Sequence, residues 1–252
     1  MESTSIEYKV VKPSPSLSHV VESFWMLANH AEEEKQVVIL PDGRIDLFFS
    51  YSSKEPFHIA LLGLGSEPSH SKISPKSVIF AVSFKLLACE YVLETNVASL
   101  LNNVQQLPDD FWGIAAADLN DFDVFCIKAS DKITELLKKN IDERKRKLFE
   151  EVFSSHGSIS VKEIAEKVHW SSRQINRYFT EWFGLSLKAY CNILRYRASF
   201  KEIKEGNLFP GENFTDQAHF IKDVKKYSGV TPKELTKNKD DRFIQFSVLP
   251  KK

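Results

Sequence analysis

Residues 160–184 read SVKEIAEKVHWSSRQINRYFTEWFG, and two repeated signals in them decide the fold of the C-terminal half. Ser160-Val-Lys-Glu163 is a capping box: the serine hydroxyl can accept from the amide three residues on, while the glutamate reaches back to the serine amide. It opens a short helix with Ile164, Ala165 and Val168 on one face. After His169 and Trp170, Ser171-Ser-Arg-Gln174 is a second box. The helix it opens places Ile175, Tyr178, Phe179, Trp182 and Phe183 at i, i+3, i+4, i+7 and i+8, and Gly184 stops it. Two short helices joined by a tight turn make a helix-turn-helix, whose second helix enters a major groove by its N-terminal residues.

The polar face of that second helix is Ser172, Arg173, Asn176, Arg177 and Thr180. Arginine can address guanine O6 and N7 together, and asparagine adenine N6 and N7, so Ser172, Arg173, Asn176 and Arg177 are candidate base readers. The plain alternative is a capped, solvent-exposed helix of an ordinary bundle.

Working outward, helical periodicity begins at Asp131, with apolar stripes at Ile133, Leu136, Leu137 and Ile141 and then at Leu148, Phe149, Val152 and Phe153. The basic residues Arg144 to Lys147 between them read as the solvated face of a linking helix. Charge follows the same division. The 34 basic and 34 acidic side chains cancel over 252 residues, yet residues 1–127 carry 8 Lys+Arg against 17 Asp+Glu, and residues 128–252 carry 26 against 17. A −9 half joined to a +9 half points to a basic region that meets nucleic acid or a membrane.

Residues 159–235 resemble the DNA-binding domain of AraC/XylS-type transcriptional regulators. The matching pieces are EIAEKVHWSSRQINRYFTEWFGLSLKAY, LRYRAS and FTDQAHFIKDVKKYSGVTPKEL. The last is the most specific, matching at Phe214, Asp216, Gln217, His219, Phe220, Lys222, Gly229 and Pro232. The resemblance implies two helix-turn-helix units joined by a long helix. It adds Asp216, Gln217 and His219 as base-reading candidates, on a second helix over 215–227 capped by Thr215. Ala218, Phe220, Ile221, Val224 and Tyr227 would face its core. Phosphate candidates are Lys162, Ser171, Thr180, Lys188, Arg195, Arg197, Thr215, Lys222, Lys225 and Lys226. The sequence departs from the family pattern at 206–213, where Pro210 and Gly211 replace a helix, so the second unit is abbreviated. His169 also stands where Gly is frequent, and Leu187 where Pro is.

From residue 5 to about 85 the apolar residues come in short runs, at 8–11, 21–27, 37–40, 45–51, 57–64 and 77–84, each bounded by turn formers or charge. They read as strands, with Pro41-Asp42-Gly43 as a hairpin turn. SLSHVVESFW, VILPDGRIDLFFSY and SVIFAVSF resemble an uncharacterised domain that precedes AraC-type helices in bacterial regulators, which implies sensing or dimerisation. Arg44 and Asp46 alternate on a strand and are candidates for an effector pocket, against a cross-strand ion pair or turn support.

Cys89, Cys126 and Cys191 have no metal-ligand or disulfide spacing and read as small apolar residues of a reducing compartment. No apolar run approaches eighteen residues, and MESTSIEYKV lacks the features of a signal peptide. Gly63-Leu-Gly65 lacks the third glycine of a dinucleotide fingerprint, and no phosphate loop, nucleophile elbow or paired-histidine motif is present. The acidic stretch Asp109 to Asp123 lacks calcium-loop spacing.

The expectation is therefore a two-domain chain: an N-terminal, mainly β domain (a small barrel or sandwich with a few helices, α+β) over 1–127, and a linker helix over 128–147. An all-α domain with two helix-turn-helix units joined by a long helix follows over 148–240, and then a tail over 241–252. Its expected role is a cytoplasmic, sequence-specific transcription regulator, not an enzyme, with neither cofactor nor metal. Its expected partners are double-stranded DNA, a small-molecule effector, a second copy of itself and RNA polymerase, with no membrane. Two alternatives stand beside it: a ligand-sensing or protein-interaction module that has lost DNA binding, and an enzyme in the N-terminal half.

Overall fold

The computed structural model describes residues 6–207 and 217–247. The chain forms two compact units: one of residues 1–35, 44–63 and 72–142, the other of residues 36–43, 64–71 and 143–252. The N-terminal part is a β-sheet domain and the C-terminal part is helical, as the change of hydrophobic period from two to 3.6 requires.

The strands are β1 (Ile6–Val11), β2 (Val21–Asn29), β3 (Lys35–Ile39), β4 (Ile45–Tyr51), β5 (His58–Leu62), β6 (Ser69–Ile73) and β7 (Ser77–Phe84); after the short helix α1 (Leu87–Tyr91) comes β8 (Val104–Leu107). Six of them form one antiparallel sheet in the order β1-β2-β7-β4-β5-β8, and β3 pairs with β6. Among the described residues the strands are thus gathered in one sheet ending at β1 and β8 and one two-stranded ribbon. Polar β6 (SHSKI) and β8 (VQQL) lack the apolar run that marked the other strands.

One sheet face carries Phe24, Met26, Leu47, Phe49, Ile59, Leu61, Phe80 and Val82, all buried. Against it lies α2 (Phe122–Leu136). Phe125 meets Phe49 edge-on with ring centroids 5.4 Å apart, and Phe122 meets Phe80 at 5.2 Å. The acidic stretch before α2 serves its start: the Asp121 carboxylate accepts from the amides of Asp123 and Val124 at 2.9 and 3.1 Å. An anion at a helix N-terminus is stabilising.

On the other face, Trp25 Nε1 donates to Asp46 Oδ1 at 3.2 Å and lies 3.1 Å from Ser83 Oγ, which itself donates to Asp46. Arg44 donates to Glu22 Oε1 at 3.3 Å, and Lys12 and Lys85 pair with the same carboxylate. Arg44 and Asp46 are thus tied into cross-strand contacts. Burial alone would raise the Glu22 carboxyl, but the charges of Arg44, Lys12 and Lys85 outweigh it and hold it below its ordinary value. A carboxyl depressed on folding contributes stability that is present above its unfolded pKa and lost as pH falls through the folded one. Wild type should therefore lose more thermal stability than Glu22→Gln on acidification below about pH 5. Parallel melting curves for the two proteins would remove this role.

The helical unit contains α3 (Glu143–Ser154), α4 (Val161–Val168), α5 (Ser172–Phe183), α6 (Leu187–Ala198), α7 (Phe200–Lys204), α8 (Gln217–Ser228), α9 (Pro232–Lys237) and α10 (Ile244–Ser247). The stretch expected as one linking helix, 128–147, is divided between α2 and α3, because 137–142 is not helical. The long connecting helix is α6 followed at once by α7, with Ser199 between. Residues expected as a tail carry core side chains: Phe243 and Phe246 are 1% and 2% exposed. Phe149 occupies the middle of an aromatic cluster, with ring centroids 5.8 Å from Phe179, 6.1 Å from Phe183 and 6.4 Å from Tyr178.

All three cysteines are free. Burial pushes the thiols of Cys126 and Cys191 up to about 12 and raises Cys89 further, so none is a ready nucleophile. Among the described residues, no group of three or more His, Cys, Asp or Glu could hold a metal ion, and no helix is long and apolar enough to cross a membrane.

Candidate nucleic-acid interface

Both boxes read from the sequence close in the structure. The Glu163 amide donates to Ser160 Oγ at 3.2 Å and the Ser160 amide to Glu163 Oε2 at 2.9 Å. These bonds from Ser160 hold the exposed Glu163 carboxyl below its ordinary value. At α5 the Gln174 amide donates to Ser171 Oγ at 3.2 Å, while the Ser171 amide and hydroxyl both donate to Gln174 Oε1 at 2.9 Å.

Three residues, His169 to Ser171, separate α4 from α5. His169 is exposed and left-handed at φ +54°, the conformation that explains why glycine suits this position. The Trp170 amide then bonds back to the Ala165 carbonyl at 3.2 Å. α5 buries Ile175, Tyr178, Phe179 and Phe183, with Trp182 half-buried, and Gly184 at φ +75° ends it.

The opposite face of α5 holds the candidates. Ser172, Arg173, Arg177 and Thr180 are exposed, and Asn176 is half-exposed. Arg173 has no hydrogen bond or ion pair among the described residues. Arg177 Nε lies 3.8 Å from Glu181 Oε1, an exposed pair one turn apart that contributes little and can exchange for another anion. Asn176 Nδ2 donates to the Ser172 carbonyl at 3.0 Å. Ser171 is committed to its cap. Ser171→Ala should cost about 1 kcal/mol, read as a lower urea midpoint at unchanged slope. An unchanged midpoint would mean the box contributes nothing.

On the second candidate reader, α8, Gln217, Lys222, Lys225 and Lys226 are exposed, and His219 is half-exposed with Nε2 3.7 Å from Asp223 Oδ2. Thr215, Asp216 and the departure centred on Pro210 and Gly211 lie outside the described residues. Of the expected core face, Phe220, Val224 and Tyr227 are buried, but Ala218 is exposed and Ile221 only half-buried. Asp223 and Ser228, 7% and 3% exposed, take part in that face instead. Ser228 Oγ donates to the Val224 carbonyl at 2.7 Å, and the buried Tyr196, its phenol raised by burial, lies against Tyr227 with centroids 5.1 Å apart.

Lys162 and Lys188 are exposed, whereas Arg195 and Arg197 on α6 are half-buried. Arg195 is turned onto Asn192 Oδ1 of its own helix, because its position lies on the packed side of α6.

Two contributions were not legible from spacing. Arg144 lies 5.2 Å from the centroid of Trp170 in the turn, and Lys145 lies 4.9 Å from that of Tyr178 on α5. The basic run at 144–147 thus partly stacks on aromatic rings of the helix-turn-helix. Arg146, which bridges Glu143 and Glu150, and the exposed Lys147 follow the solvated pattern. Thr231-Pro-Lys-Glu234 closes a third box at α9, a signal present in the sequence.

A family described as a domain of unknown function, DUF6597, matches residues 9–106. The curated proteins include no match. Among solved structures, ToxT from Vibrio cholerae is similar at 13% identity and a TM-score of 0.44, over 92% of this chain and 98% of that one. ToxT from Vibrio cholerae O395 bound to (E)-4-(8-methylnaphthalen-1-yl)but-3-enoic acid is similar at 14% identity and a TM-score of 0.39, over 92% and 98%. Likeness at this level carries over no property of ToxT.

Proposed function

We propose that this protein is a sequence-reading transcription regulator of the AraC type that binds double-stranded DNA through its helical unit, with α5 as principal major-groove reader and α8 as second. The observation that carries the reading is the N-terminal half of α5, which presents Arg173, Asn176 and Arg177 to solvent behind a closed cap and over a buried aromatic face. Side chains at that end of a helix reach base edges when the helix lies in a major groove. Exposed Lys162, Lys188, Lys222, Lys225 and Lys226 supply the sequence-independent attraction to phosphate. The −9 half adds no such attraction, and we assign to it effector sensing or self-association rather than catalysis, in a soluble cytoplasmic protein acting on RNA polymerase.

The test is selection of bound duplexes from random DNA with the full-length protein at several salt concentrations. The expected result is an enriched motif whose affinity falls with salt at a slope of about −0.9 per phosphate neutralised. Salt-dependent binding with no enriched motif would remove sequence reading, and no binding at low salt would remove the function.

A further inference from the structure

Pro41-Asp42-Gly43 has the composition of a hairpin turn, but the strands on its two sides do not pair: β3 pairs with β6, and β4 with β5 and β7. The segment 36–43 belongs to the helical unit, although the chain enters it after β2 and leaves it into β4, both strands of the six-stranded sheet.

Its attachments within the helical unit are specific. The Val38 amide donates to the Arg242 carbonyl at 2.7 Å, and Val38 forms a parallel bridge with Phe243. Gln245 closes on both backbone groups of Leu40, its Oε1 accepting from the amide at 3.1 Å and its Nε2 donating to the carbonyl at 2.9 Å. Leu40 is 2% exposed, so both groups depend on that one side chain. Gly43, at φ +77°, lies against α6. The buried Tyr190 hydroxyl donates to its carbonyl at 3.0 Å, and a β-carbon there would stand 2.8 Å from Leu194 Cδ2 and 3.2 Å from Tyr190 Cε2.

The segment therefore ends on the helix that follows the first reading helix and leads towards the second. We propose that residues 36–43 are a coupling strap, through which a change in β4 alters the packing of α6 and so the affinity of the helical unit for DNA. The DNA part rests on the function proposed above; the mechanical part does not.

The full-length protein tests both parts. Hydrogen exchange reads α6 without DNA, and affinity for the selected sequence reads the consequence. Gly43→Ala should speed exchange of α6 amides at least tenfold and weaken specific binding at least fivefold. Trp25→Phe perturbs β4 from the sheet side, since Trp25 bonds to Asp46 and packs edge-on against Phe48 at 5.5 Å. Combined with Tyr190→Phe, which removes the hydrogen bond from α6 to the Gly43 carbonyl, it makes a double-mutant cycle. The expected cycle is non-additive by at least threefold in α6 exchange and in affinity, and it decides the matter even where Gly43→Ala fails to fold. Additive effects in α6 exchange would overturn the strap. Non-additive exchange with additive affinity would overturn its link to DNA. A wild type that selects no DNA would remove the proposed function, leaving exchange to decide the strap.

Discussion

Phe149→Ala is expected to destabilise the helical unit by about 3–5 kcal/mol, the range for emptying a buried aromatic site. The side chain is 2% exposed and sits among Phe153, Tyr178, Phe179 and Phe183. Three of these four rings belong to α5, so the cavity opens directly behind the proposed reading face. Rings already in contact on one helix have little freedom to collapse into it, which places the loss in the upper part of the range. Against a typical net stability of about 5–15 kcal/mol, such a loss leaves a substantial unfolded fraction. Phe149→Leu, which refills most of the volume, should recover more than half of it. Urea unfolding followed by tryptophan fluorescence measures both variants, with Trp170 and Trp182 as reporters in this unit. A loss below about 1 kcal/mol for the alanine variant would show that the ring is not a central support.

Arg173→Ala should weaken binding to the selected sequence by about 1–3 kcal/mol, the worth of one bidentate base contact, which is roughly 5- to 150-fold. Arg173 lies in the first turn of α5, exposed and with no protein partner among the described residues, so its removal leaves the fold unchanged. Arg177 also faces solvent but shares its charge with Glu181, and Arg177→Ala should cost the same or less. The discriminating measurement is affinity on the selected duplex and on a scrambled one, at the same salt. A base reader loses affinity mainly on the first. Equal losses on both would make Arg173 a phosphate contact.

The helix-turn-helix was legible because its signals are local. Ser160 and Glu163, Ser171 and Gln174, and the apolar residues of α5 at helical spacing all act within one or two turns, and each forms as its spacing requires. β1, β2, β3, β4, β5 and β7 were legible for the same reason. What was hidden is non-local. The same Pro41-Asp42-Gly43 that would close a hairpin instead lies against α6, which Tyr190 and Leu194 decide from about 150 positions away. Arg144 looked like one more solvated charge until Trp170 was folded beneath it. Asp223 on an otherwise apolar face runs against the pattern rule itself. For the same reason the acidic half cannot be removed cleanly by cutting at residue 127. The cut takes 36–43 and 64–71 from the helical unit, so altered DNA binding by such a fragment would not isolate the effect of its negative charge.

The bonds between Leu40 and Gln245 span 205 positions of sequence, which sets a schedule for the growing chain. At about 5–20 residues per second, Leu40 is made roughly 10–40 s before its partner. The sheet strands on either side can pair in that interval, while the strap's backbone groups wait without theirs. The helical unit thus closes only after Gln245 has been made, and a chain stalled before Phe243 would display an unpaired strand edge, a target for holding chaperones and for aggregation.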